Sequence, residues 1–392
     1  MELAHYFTPQ IIPVQPAFQI RPDESLQSQV EFMDSSQSYD WSAFDVAVIG
    51  IEEGRNDSGN AGRAHAPNEI RKKLYPLRAL SRKIKIVDLG NLKGRTLNDK
   101  YIALRDVAAF LIKQDVISLV LGGSQEFTVY LAEALEELNE PFRISVIDSM
   151  IDCSIENNDF SASGYLQHVP QRCPKYLQDL ALVGLQKYLC APTQEKFLAQ
   201  YNYEFVRLGY VRDKAMKSVE PILRDSDLVS FDAGVVKGTD LPAQNIANPN
   251  GFLSHEACQL AWYAGASDRL KIFGLFEVNP EKDTPSQMGL YLCGQITWHF
   301  LEGVALRYND YPKKKIEEYQ SYIIHLEDYD VDIRFFRNSI NDRWWLEVPG
   351  GEGEMVVSCL RDDYEQAANS DLPDKWLRYL KKSNCKSVNR DI

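Results

Sequence analysis

The chain has 392 residues, of which 44% are hydrophobic and 25% charged. That usage is ordinary for soluble globular proteins and excludes bulk disorder, collagen and fibrous repeats, and at roughly 150 residues per domain the length predicts two to three units. The formal charge of −13 disfavours nucleic acid or an anionic membrane as the principal partner.

No run of about 18 apolar residues is present, so no transmembrane helix is expected. The N-terminal MELAHYFTPQ has neither a basic nor an apolar signal region. The seven cysteines, at 153, 173, 190, 258, 293, 359 and 385, are widely spaced and form no CxxC. Reduced thiols in a cytoplasmic protein are expected, rather than a disulfide framework or a zinc site.

Residues 1–43 are polar and proline-dotted, and read as an arm lying on the surface. From residue 44 apolar runs recur: FDVAVIGI (44–51), KIKIVDLG (83–90), VISLVLGG (116–123), RISVID (143–148), LALVGL (180–185), DLVSFD (227–232) and LKIFGLFEV (270–278). Most are apolar on both faces, as in parallel strands covered by helices. Helical spacing appears between them at 67–80, 105–114, 126–138, 254–265 and 286–308. This alternation predicts one three-layer α/β/α unit over 44–308. NDYPKKK (309–315) reads as a linker. Residues 315–392 read as a small α+β extension with antiparallel strands at RWWLEV and MVVSCL, a GGEG turn between them, and a final helix at DKWLRYLKK.

In an open parallel sheet, ligands bind beyond the carboxyl ends of the strands. The residues following four runs are therefore the candidates. They are Gly122-Gly123-Ser124-Gln125, Asp148-Ser149-Met150-Ile151-Asp152, Phe231-Asp232-Ala233-Gly234 and Glu277-Val278-Asn279-Pro280. Three aspartates and a glutamate thus emerge at one sheet edge.

In this order the segments resemble the motifs of the ureohydrolases, the family of arginase, agmatinase and formimidoylglutamase. The resemblance runs from about residue 44 to 308. The glycine pair resembles the family's Gly-Gly-x-His element, and Asp148 to Asp152 resembles Asp-Ala-His-x-Asp. Ser230 to Gly234 resembles Ser-x-Asp-x-Asp, and Glu277 to Pro280 resembles Glu-Val-x-Pro. Upstream, Gly62-Arg63-Ala64-His65-Ala66-Pro67 and Ile70-Arg71 resemble a Gly-x-x-x-Gly-Pro-x-x-Ile-Arg stretch. The extension and chain length look more like formimidoylglutamase relatives than like arginase. Family members bind two manganese ions through two His and four Asp, and attack a guanidinium or formimino carbon with a bridging hydroxide.

Here the two histidine positions hold Gln125 and Met150, and the last aspartate position holds Gly234. A thioether suits soft metals rather than manganese, and glycine offers no ligand. The resemblance therefore implies an incomplete dinuclear site. Asp148, Asp152, Asp232 and the Gln125 amide oxygen form an all-oxygen set fit for at most one Mg²⁺, Mn²⁺ or Ca²⁺ ion. Three carboxylates within ~4 Å repel by about 4 kcal/mol per pair at an effective dielectric of 20. That strain favours one cation, a protonated aspartate or a basic group such as Lys237. With no cofactor at all, proton uptake would serve.

Glu277 corresponds to the carboxylate that holds the substrate guanidinium in arginase-like members. Ser161 and Ser163 of the SASG segment resemble a loop that holds substrate carboxylates. His65 lies in the loop 53–66 at the pocket rim, where a plain polar histidine is the simpler reading. Cys153 beside Asp152 lacks the cationic surroundings that activate a thiol and reads as inert. His299 reads as a hydrogen-bonded core residue. Alternation places one indole of Trp344-Trp345 inward and one outward, the outer one either covered by the rest of the chain, the simpler reading, or marking a partner surface.

The first expectation is a degenerate ureohydrolase, a pseudoenzyme acting through a small-molecule ligand or a protein partner. The alternative is an active hydrolase of a formimino or guanidino substrate using one divalent ion. A third reading is a structural subunit whose arm and tail bind another protein. Self-association is expected from the resemblance, because family members are commonly trimers or hexamers.

Overall fold

The computed structural model describes residues 2–10, 19–55, 58–154, 158–214, 216–312, 318–350 and 353–388. The lysine run at 313–315 and part of the 350–353 turn lie outside them.

Ten strands form the main sheet: β1 (Phe7–Thr8), β2 (Val30–Phe32), β3 (Val46–Gly50), β4 (Ile86–Leu92), β5 (Ile117–Leu121), β6 (Phe142–Ile147), β7 (Leu177–Leu185), β8 (Glu204–Arg207), β9 (Leu228–Asp232) and β10 (Ile272–Phe276). The order is β1-β4-β3-β5-β10-β9-β6-β7-β8, with β2 also on β4. All pairings are parallel except β1 with β4.

The helices are α1 (Ala66–Leu74), α2 (Leu97–Lys113), α3 (Phe127–Glu136), α4 (His168–Arg172), α5 (Pro192–Gln200), α6 (Leu208–Lys214), α7 (Glu220–Arg224), α8 (Ser254–Gly265), α9 (Met288–Ala305), α10 (Arg361–Ala368) and α11 (Asp374–Val388). Alternate strand residues feed opposite cores. Val46 and Val48 join α1, α8 and α9 on one face, while Ala47 and Ile49 join α2 and α3 on the other. That gives the three-layer α/β/α arrangement. Helix α1 ends at Leu74, six residues short of the expected end, where Pro76 has no amide hydrogen with which to continue the ladder. Helix α2 begins eight residues early, where Thr96 and Asp99 form a capping box.

The segment read as a surface arm departs from that expectation. It adds β1 and β2 to the outer edge of β4, and it buries Leu3, Phe7, Leu26 and Met33.

Beyond the sheet, β11 (Gln320–Leu326), β12 (Val331–Arg337), β13 (Trp344–Gly350) and β14 (Gly353–Cys359) make an antiparallel sheet with its own apolar cluster. Both doubled indoles are buried. Trp344 stacks on Tyr322 and Tyr364, while Trp345 lies under the Arg224 guanidinium at 4.5 Å. The outward indole is thus covered by α7. Arg378 and Lys382 lie one helical turn apart on α11, and both close on buried Asp179 of β7. Asp225 accepts from the Ser358 hydroxyl at 2.6 Å and the Ser358 amide at 2.8 Å. Ser358→Ala removes the first of these buried charge-assisted bonds and is expected to cost about 1.5–3 kcal/mol in urea unfolding.

Candidate active site

The sheet order explains why the site assembles. Strands β5, β10, β9 and β6 are neighbours in that order, although β5 and β6 are separated from β9 and β10 by about 80 residues of chain. Their carboxyl ends therefore present Gln125, Glu277, Asp232 and Asp148 side by side. The turn after β5 needs its glycines. Gly122 and Gly123 have φ of +79° and +78°, and a Cβ on either would strike Pro67 or Ile51 below 3.0 Å.

Asp148, Asp152 and Asp232 are buried, and one oxygen from each lies within 4.8 Å of the others. Gln125, fully buried, sits among them. Its amide orientation follows from its partners. The nitrogen faces Asp148 Oδ2 at 3.2 Å, Asp152 Oδ2 at 3.3 Å and Asp232 Oδ2 at 3.2 Å, while the oxygen accepts from Ser230 Oγ and Tyr165 Oη. This is the orientation of the cation-free site; the same side chain turned oxygen-first would serve a bound cation. With no cation bound, Gln125 donates to the triad, because the three carboxylate oxygens it faces are acceptors while the hydroxyls behind it can take either role. The Lys237 charge bears on Asp240, and the side chain that meets the triad is Gln125.

Burial pushes all three aspartates above the usual carboxylate range. For Asp148 the next cause is Asp152, and for Asp232 it is Asp148 followed by Glu277. Asp152 is raised to about 8 by burial and by Asp232, with a hydrogen bond from Asp148 opposing. The three can coordinate a single divalent cation.

A dinuclear centre does not fit. Met150 is 37% exposed at the second histidine position, Gly234 has only its amide on Asp232 Oδ1, and Gln125 stands where the family has an imidazole. No complete two-ion ligand set exists among the described residues.

Glu277 carries the feature that sequence reasoning missed. Its φ is +60°, a strained conformation for a non-glycine residue, and its amide donates to the Gly123 carbonyl. The carboxylate receives both contacts of buried Arg63 Nη1, at 2.9 and 2.7 Å, plus Asn60 Nδ2 at 2.9 Å and the Gln125 main-chain N–H at 2.9 Å. Burial lifts Glu277 to about 7 against the lowering effect of Arg63. The carboxylate assigned by resemblance to a substrate cation thus already holds a guanidinium of its own chain. Arg63 and Asn60 sit over 200 residues from Glu277, and no spacing rule links them.

The remaining candidates are peripheral. Ser161 and Ser163 face one another at 3.4 Å between their hydroxyls on a surface turn. The His65 side chain is 70% exposed and lies 3.9 Å from Glu281. The Cys153 thiol is pushed up to about 11 by burial and Asp152, in keeping with an inert residue. His299 is half-buried, with its ring edge-on to Trp298. No helix among the described residues is long and apolar enough to cross a membrane.

A layered parallel sheet with acidic residues at the carboxyl ends of its central strands defines a ureohydrolase scaffold. The arginase family model matches residues 44–302, and the chain belongs to that family. Among curated proteins it is similar to formimidoylglutamase of Photorhabdus laumondii, 22% identical over 267 residues that cover 64% of this chain and 84% of the relative. An Enterobacter formimidoylglutamase is also 22% identical, with the same two coverages. Among solved structures, formimidoylglutamase of Bacillus subtilis superposes with a TM-score of 0.66 at 17% identity, covering 76% of this chain and 97% of that one. Trypanosoma cruzi formiminoglutamase, solved with Mn2+2, gives 0.64 at 17% identity, covering 69% and 97%.

Proposed function

We propose that this protein keeps the ureohydrolase scaffold but has given up dinuclear hydrolysis, and that it acts as a pseudoenzyme by binding a small molecule or a protein partner. One observation carries the reading: the Arg63 guanidinium is clamped on Glu277. A guanidino or formimino substrate would need that carboxylate, and would have to displace a buried arginine that has no water to retreat into. The Gln125 amide does the equivalent at the aspartates, supplying donors where family members place a cation. Metal-bound hydroxide is what furnishes a nucleophile at neutral pH in such enzymes, and the ligands for a bridging pair are missing. The six described cysteines are free, which supports the cytoplasmic reading.

A second reading has support of its own. The compact all-oxygen triad is compatible with one hard cation, so a mononuclear hydrolase of formimidoylglutamate or a related C–N substrate is the rival. Turnover decides between them. Purified protein with added Mn²⁺ is expected to release no formamide, urea or ammonia from formimidoylglutamate, arginine or agmatine. Release that disappears in Asp232→Ala would overturn the pseudoenzyme reading in favour of the rival.

A further inference from the structure

The geometry points to a second ligand site, for a small carboxylate or phosphate compound, in the cleft between the family core and the C-terminal sheet. A cavity of about 1180 Å³ opens there. It is bordered by the amino-terminal ends of β5, β6, β9 and β10, so it lies at the sheet edge opposite the aspartates. Met355 and Val356 of β14 and Tyr311 close its other side. These three lie beyond residue 302, so the cleft is completed by a part of the chain outside the arginase family match.

Its floor holds cations with unmade bonds. Arg143 is 5% exposed, yet its Nε and Nη1 have no hydrogen-bond acceptor among the described residues. Nη1 lies 3.3 Å from Asp225 Oδ2, an oxygen already taken by the Ser358 amide, and Nη2 has only the Met355 sulfur at 4.0 Å. Beside it, Arg269 donates Nη1 to Tyr311 and Nη2 to Asp227, leaving Nε without an acceptor. Lys271 shares that same Asp227 carboxylate. Arg307 bonds only to the carbonyl oxygens of Gly265 and Leu270, and burial holds its pKa down to about 10.

Four cations thus share the inner wall with Asp227 and Asp268, with Asp225 behind Arg143, and all three carboxylates are engaged. Asp227 serves Arg269 and Lys271, while Asp268 accepts the amides of Asn309 and Asp310. A buried guanidinium whose donors lack partners is a ready receptor for carboxylate or phosphate oxygens.

The mouth has the opposite character. Asp45, Asp115, Glu140 and Glu354 are exposed around it. Being in water they are screened, although Asp45 and Asp115 still bear on Arg307, and the charge of Arg143, which none of them contacts, is left for a ligand. They do disfavour a polyanion threading through the opening. The ligand this selects has one compact anionic head and a neutral or cationic remainder, and the cavity, somewhat above the usual range of about 300–1,000 Å³, admits a drug-sized compound.

The test is calorimetric titration of the full chain with inorganic phosphate, pyrophosphate and succinate. The expected result is saturable binding of one molecule per chain by at least one of them, and the phosphate and succinate arms identify the head group. Arg143→Gln is expected to weaken that binding at least tenfold. Because Arg143 is buried, Lys271→Ala, at a side chain 34% exposed, provides a second variant, with an expected loss of several-fold. Absence of saturable binding by all three compounds would overturn the proposal, as would unchanged affinity in the folded variants.

Discussion

Replacing Gln125 and Met150 with histidine and Gly234 with aspartate is expected to raise bound manganese from at most one ion per chain to two, measured by elemental analysis after dialysis. The argument rests on the sheet rather than on the missing side chains. Strands β5, β6 and β9 present residues 125, 150 and 234 at the carboxyl edge where the family places its ligands. Room exists at two of the three positions, and at the third, Gln125, an imidazole would replace a side chain of similar length. A Cβ at Gly234 meets Asp232 Oδ1 at 3.0 Å and nothing else closer than 3.8 Å, and Met150 already reaches solvent. Gln125→His keeps a nitrogen donor facing three carboxylates until a cation replaces its proton. The single Gln125→His variant leaves residues 150 and 234 without ligands, so it is expected to stay at one ion. Two ions in the triple variant would still not restore hydrolysis while Arg63 occupies Glu277, so turnover is expected only when Arg63→Ala is added. A triple variant that binds one ion or none would mean that the strand ends are displaced from the family arrangement.

The uneven legibility of this chain has a physical basis. The seven long apolar runs all became strands because burial on both faces leaves a signal that survives in one sequence. The missed strands β1, β2 and β8 are two to four residues long at the sheet margins, where few apolar residues are needed. Candidate aspartates could be found because each directly follows such a run. Their partners could not. Whether Gln125 turns oxygen or nitrogen toward the triad depends on the three carboxylates it faces, and the pairing of Arg63 with Glu277 depends on a loop folding across the sheet edge. The cationic cleft arises from two segments brought together by Asp225–Ser358 and Asp179–Arg378 contacts, which leave no local pattern.

Asp152→Asn is expected to stabilise the chelator-treated protein at pH 8 by roughly 3–5 kcal/mol, the sign opposite to that of most buried substitutions. Burial and Asp232 raise the folded-state pKa of Asp152 from 3.8 to about 8. Between those values the folded chain holds a proton that the unfolded chain has released. The associated stability is complete below about pH 4, declines by about 1.4 kcal/mol per pH unit across the window, and is gone above about pH 8. Wild-type protein in chelator should therefore be more stable at pH 5 than at pH 8, and the Asn variant should show a flatter profile. The amide cannot ionise, so above the window the variant avoids a buried ionised carboxylate at position 152. A divalent cation would relieve the same repulsion by binding the ionised triad, so added Mn²⁺ should raise the wild-type melting temperature at pH 8 and have a much smaller effect on the variant. If Asp152→Asn instead loses stability at pH 8 without cation, the carboxylate is held ionised by its Gln125 donor and the proton-sharing account of the triad fails. If the variant behaves as expected, these aspartates oppose folding unless something positive meets them, and keeping all three at one sheet edge is a cost consistent with a binding role for the site.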